Sequence, residues 1–103
     1  MSPNIIDKAI RRASKSICRY KVSAIGLNKK GEIIGSSVNT VRFNKLNGGI
    51  HAEASLIGRY GSQLKTIIIC RVNKTGGILP IEPCDNCQKL ANKFGIKIIS
   101  VMS

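Results

Sequence analysis

Near the start of the chain, apolar residues recur at a helical interval. Ile6, Ala9, Ile10, Ala13 and Ile17 share one face of a helix, and Lys8, Arg11, Arg12, Lys15 and Arg19 fall on the opposite face. Ser2 reads as an N-cap and Pro3 as the first helical residue, so the helix is predicted from there to about Cys18. The period then shortens. Tyr20 to Leu27 and Glu32 to Val38 are two apolar-rich runs joined by Asn28-Lys29-Lys30-Gly31, which predicts an antiparallel hairpin. Gly26 and Gly35 inside these strands mark bulges or a close backbone approach. A polar loop is expected from Asn39 to Ile50, then a helix from His51 to about Tyr60 with Gly61 as its stop. Thr66 to Val72 is nearly continuous in β-branched apolar residues, the pattern of a central strand covered on both faces. Asn73 to Glu82, with Gly76, Gly77 and Pro80, reads as a loop. A third helix is predicted from Cys84 to Phe94, with Cys87, Leu90, Ala91 and Phe94 on one face and Gly95 closing it. Ile96 to Val101 is the last strand.

A hairpin followed by helix, strand, helix and strand makes a mixed α/β sheet whose last three strands run in parallel. The expected order is 2-1-3-4, four strands with helices on both faces. Residues 1–103 then form a single domain, near the lower end of the usual size range.

The 43% of hydrophobic residues suffices for one core, although only two tyrosines and two phenylalanines are available to fill it. No apolar run is long enough to span a membrane. Met1-Ser2-Pro3-Asn4 lacks the charged start and apolar stretch of a signal peptide, so a cytoplasmic location is the default expectation. In that compartment the four cysteines read as metal ligands or buried thiols, not disulfides. Cys18 and Cys70 have no ligand spacing to another cysteine and are expected to act as small hydrophobes. The formal net charge of +12 favours a polyanionic partner, either nucleic acid or a phosphorylated substrate. The 17 basic residues are spread along the chain, so the basic stripe of the first helix reads first as a solvated outer face, with a surface for single-stranded DNA or RNA as the alternative.

Two short stretches carry the candidate chemistry: His51-Ala52-Glu53 and Pro83-Cys84-Asp85-Asn86-Cys87. Each opens a predicted helix after a strand, which brings both to the sheet edge where α/β proteins bind ligands. His51, Cys84 and Cys87 are three nitrogen and sulfur donors, the number that holds a catalytic zinc while leaving a position for water. Glu53, two residues from the histidine, is placed to carry protons. A helix start lowers thiol pKa and so favours thiolate ligands at Cys84 and Cys87. A purely structural, closed zinc site would need a fourth ligand, and the chain has no second histidine or further suitably spaced cysteine to provide one.

The H-x-E stretch followed by P-C-x-x-C resembles the signature of the zinc-dependent cytidine deaminase-like superfamily. That resemblance covers nearly the whole chain. It implies a three-layer α/β fold, one zinc ion per chain on His51, Cys84 and Cys87, and Glu53 as the catalytic acid-base. It further implies hydrolytic conversion of cytosine to uracil, with release of ammonia, in a nucleotide or nucleic acid. Adenine in tRNA, a free nucleoside, and a non-catalytic zinc-bearing nucleic-acid binding module stay open as alternatives. By the same resemblance Asn39 would hydrogen-bond the sugar or base, although it reads equally as a strand-ending asparagine. Ala52 would offer backbone to the base, and Arg42 and Lys45 would stand at the pocket mouth for phosphate or, equally, be exposed loop residues with no specific role. Phe43 would be the substitute for a missing stacking aromatic, or more simply an anchor for its loop. The chain is a minimal version lacking the family's fifth strand, which leaves the last predicted strand as an edge and predicts a homo-oligomer.

Overall fold

The computed structural model describes residues 3–15, 21–38, 40–41, 49–50, 52–73, 75, 77–83 and 85–101. Helix α1 (Pro3–Ser14) begins where the proline predicts, because proline fits the first helical turn, where its absent N–H is not needed. It ends earlier than its apolar period suggests. The Ser14 hydroxyl donates back to the Ile10 carbonyl at 2.9 Å, and the Lys15 N–H tightens onto the Arg12 carbonyl at 3.2 Å. Ile17, Cys18 and Arg19 lie outside the described residues.

Strands β1 (Lys21–Leu27) and β2 (Ile33–Val38) form the expected antiparallel hairpin. Asn28 builds its turn: the side-chain oxygen accepts the Lys30 and Glu32 backbone N–H groups, each at 3.0 Å. Gly31 follows with φ 79°, the left-handed conformation that glycine adopts without strain. The segment expected to be a plain polar loop contains a small two-stranded ribbon, β3 (Thr40–Val41) and β4 (Gly49–Ile50). These pairs of residues are too short to show a two-residue period in the sequence. Helix α2 (Ala52–Tyr60) follows, and Gly61 (φ 53°) turns the chain into a single 3-10 turn, Gly61–Gln63. Strand β5 (Thr66–Val72) has the bounds that its β-branched run predicts. The loop predicted after it contains one more short strand, β6 (Ile78–Leu79). The side-chain oxygen of Asn73 holds that bend by accepting the backbone N–H groups of Thr75 at 2.9 Å and Gly77 at 2.8 Å. Helix α3 (Asp85–Phe94), closed by Gly95 with φ 69°, and strand β7 (Lys97–Ser100) complete the order.

The long strands lie in the order β2-β1-β5-β7, which is the predicted 2-1-3-4 arrangement. β1 is antiparallel to β2 and β5, and β7 is parallel to β5, so β2, β5 and β7 all point one way. β6 pairs with Arg71 and Val72 beyond the end of β7, making a fifth, very short member of the sheet.

Alternation along the central strands sends side chains to two separate cores. Ile68, Cys70 and Val72 join Ile25, Leu27, Ala9 and Ala13 under α1. Ile67 and Ile69 join Val22, Ala24, Leu56, Ile57 and Ala91 under α2 and α3. The molecule is therefore three layers: α1, sheet, and the α2–α3 pair. On the α1 side, the buried Ser23 hydroxyl donates to the Ala9 carbonyl at 2.7 Å.

Gly26 and Gly35 stand opposite each other in the β1–β2 register, which shifts just beyond them, between Gly26 and Leu27. A Cβ at Gly26 would come within 2.5 Å of a Leu64 methyl, and one at Gly35 would meet the Tyr60 ring. Both alternatives expected for these glycines, a bulge and a close approach, are realised at one place.

Candidate active site

β2 and β5 end at the same edge of the sheet, since Val38 and Cys70 flank Ser23 of β1 on either side. α2 begins just after the β3–β4 ribbon that extends from β2, and α3 begins after β5 and β6. The other ends of both helices turn at the opposite edge. There the Lys65 N–H donates to the Leu27 carbonyl at 2.8 Å, and the Ile96 N–H donates to the Ala91 carbonyl at 2.8 Å just before β7. Both helices thus present their amino-terminal turns at the strands' carboxyl edge, on the face away from α1. That is the crevice where open α/β sheets bind ligands.

Glu53 lies in the first turn of α2 and is only 4% exposed. A carboxylate is rarely buried this far without a task. Cys87 lies near the start of α3, is 3% exposed and is in no disulfide. These two residues occupy matching positions. Glu53 precedes the core residues Leu56 and Ile57 by one turn, and Cys87 precedes the core residue Ala91 by one turn. Each therefore sits one turn above the core that α2 and α3 share, at the carboxyl edge. Arg71, a residue to which the motifs do not draw attention, stands two positions beyond Ile69 on the same face of β5, at that same edge. The alternation of β5 is the signal that would have found it.

Of the other residues picked from sequence, His51, Cys84, Asn39, Arg42, Phe43 and Lys45 lie outside the described residues, and Ala52 is described as backbone within α2. His51 is the residue immediately before α2, and Cys84 the residue immediately before α3. Among the described residues no group of three His, Cys, Asp or Glu side chains forms a metal site, as follows when two of the three expected ligands are not among them. The donor set itself fits zinc: one imidazole and two sulfurs, with a buried carboxylate two residues from the imidazole.

Cys70 has a different character. It is fully buried in the layer under α1, across the sheet from Glu53 and Cys87, and its burial pushes the thiol above its ordinary value of 9.0. A raised pKa opposes the thiolate that a metal needs, so its expected role as a small hydrophobe holds. Lys8 and Arg11 on α1, and Lys15 just past its end, are exposed on the side of the molecule remote from this crevice. Phe94, expected on the inner face of α3, is instead 40% exposed. The left-handed Gly95 ends the helix directly after it, so no further turn covers its ring.

A family model described as the cytidine and deoxycytidylate deaminase zinc-binding region matches residues 3–103. The chain belongs to this family. Cytidine deaminase 6 of Arabidopsis thaliana is 33% identical over a 103-position alignment that covers 94% of this chain and 34% of that relative. The chain thus spans about a third of the length of such curated relatives. Among solved structures, cytidine deaminase from Burkholderia pseudomallei superposes with a TM-score of 0.71 at 16% identity, covering 100% of this chain and 88% of that one. The dCMP deaminase from the cyanophage S-TIM5 gives 0.61 at 19% identity, covering 97% and 84%. Similarity at this level establishes a common deaminase fold. No helix among the described residues is long and apolar enough to cross a membrane.

Proposed function

We propose that the chain is a zinc-dependent hydrolytic deaminase that converts cytosine to uracil in a nucleotide or nucleic acid. The observation that carries this reading is the pairing of a buried carboxylate, Glu53, with a buried thiol, Cys87, one turn above the same core at adjoining helix starts. His51, Cys84 and Cys87 would hold the metal, which when bound lowers the pKa of water to about 7. Glu53 accepts the proton of the attacking water at a carboxylate oxygen. It delivers that proton to the ring nitrogen of cytosine, and the water oxygen adds to the amino-bearing carbon. The second proton of the water passes by the same carboxylate to the amino group, which leaves as ammonia. The surroundings of Glu53 suit this work, because a nearly dry carboxylate exchanges protons with substrate in preference to solvent. Asn39, the residue that follows β2 in the sequence, would orient the sugar or base, and a second copy of the chain would close the crevice.

The name of the Arabidopsis relative favours a second reading, free cytidine as substrate. One mass-spectrometric screen separates the two. Wild type is offered cytidine, deoxycytidine, their monophosphates, single-stranded DNA and tRNA. Turnover confined to the free nucleosides selects the second reading. Glu53→Gln should keep its zinc and fold while losing roughly 10²- to 10⁴-fold in rate. A wild-type protein that binds zinc yet deaminates nothing would make the chain a non-catalytic binding module.

A further inference from the structure

The sheet edge opposite the crevice carries an unusual combination of side chains. Lys29 and Lys30 are exposed at the tip of the β1–β2 hairpin. The exposed Lys65 follows beside them, its N–H bonded to the Leu27 carbonyl at 2.8 Å. The exposed Lys97 comes next, its N–H bonded to the Lys65 carbonyl at 3.0 Å. The backbone thus sets four lysines in a row across the end of the sheet. A groove of about 290 Å³ is lined by Lys29 and Lys30 together with Ser62 and Gln63. Glu32 also lines it, with one carboxylate oxygen taking the Asn28 amide at 3.2 Å. Next to the groove stands Phe94, the chain's one strongly exposed aromatic among the described residues, whose ring edge lies 3.8 Å from where a side chain on Gly61 would begin. Gly61 immediately precedes the groove residue Ser62. Among the described residues no helix covers Phe94, and its ring stays partly open.

We propose that this edge is a binding track for single-stranded nucleic acid, separate from the catalytic crevice. The lysine row supplies phosphate contacts, the groove admits a segment of backbone, and Phe94 offers a face on which one base stacks. Basic rows alone attract any polyanion. The exposed aromatic near them is what points to a nucleic acid, because every base has a π-face that stacks on an aromatic ring and a sulfated sugar has none. Non-specific single-strand binders combine these same two elements. The track does not depend on deaminase activity, so its test reads binding alone.

The chain has no tryptophan, so Phe94→Trp creates a unique reporter that keeps the stacking face. Titration of this variant with oligo(U) and oligo(dT) should quench the tryptophan, whereas heparin should bind without quenching. In fluorescence anisotropy, Phe94→Ala should weaken oligonucleotide binding roughly 10-fold. The double variant Lys65→Gln/Lys97→Gln should lower the salt dependence, log Kd against log salt, by about 1.4 for the two lost phosphate contacts. Neutralising Lys8 and Arg11 on α1 by the same substitution should leave the Phe94→Trp quench intact. Circular dichroism and melting of each variant confirm that it is folded. Oligonucleotide binding without tryptophan quenching, or equal quenching by heparin, would overturn the proposal, as would loss of the quench on changing α1 alone.

Discussion

Two cysteines of this chain sit in opposite chemical worlds although both are buried. Cys87 belongs to the first turns of α3 at the crevice edge, whereas Cys70 lies in a hydrocarbon layer that penalises the thiolate. The penalty has a consequence for stability. The folded-state pKa of Cys70 is raised, so the folded chain holds its proton more tightly than the unfolded chain does. The associated stability is fully present below the unfolded value of about 9 and is lost as pH rises through the higher folded value. Urea midpoints between pH 7 and 10 should fall less steeply for Cys70→Ala than for wild type, once the constant offset of the smaller side chain is removed. The role of Cys70 was legible in the sequence because it interrupts a β-branched run without a partner. The place of Glu53 in the first turn of α2 was legible because the H-x-E stretch opens a predicted helix. The exposure of Phe94 was not, since helical periodicity assigns a face and says nothing about whether another element reaches it.

Among elements, the most informative contact is the hollow that Gly26 and Gly35 leave in the hairpin. Two glycines in register remove both side chains from one spot on the sheet, and the end of α2 fills it with Tyr60 while Leu64 follows from the turn beyond. This sets how close the site-bearing helix approaches the strands. Gly35→Ala should destabilise the protein by about 1–3 kcal/mol, because a rigid aromatic ring must move. Gly26→Ala should cost less, because the atom it meets is the far end of a flexible leucine. Paired thermal melts check the order, and an equal effect would mean that α2 shifts as a body. The sequence pointed to these positions but not to their occupant, since nothing local connects Gly35 with Tyr60. Likewise β3, β4 and β6 escaped notice because each contributes only two residues, and pairing over so short a span is decided by neighbours instead of propensity.

For the molecule as a whole, the layer order and strand order followed from the alternation of helices and strands, with the site edge following from the crossovers. What the pattern did not reveal is how far the site is also a structural joint. The expected ligands come from the starts of two separate helices that rest on one core, so a shared ion would tie them together. Chelation should therefore lower the melting temperature of the zinc-loaded protein by several degrees, with recovery on adding zinc. In Cys87→Ser the difference between chelated and zinc-supplemented melts should shrink sharply. A melting temperature indifferent to chelation in wild type would show that the metal does not couple these helices.

β5 is flanked along its full length by β1, and on its other side by β7 for its first half and by β6 for its last two residues. Like β1, it is hemmed in on both flanks while its two faces feed both cores, and its pairings lack the register shift found between β1 and β2. Its amide hydrogens would be the last to trade places with deuterium. Partial opening would begin at the rims, at β2 and β7, and leave the spine that underlies the crevice standing until the end.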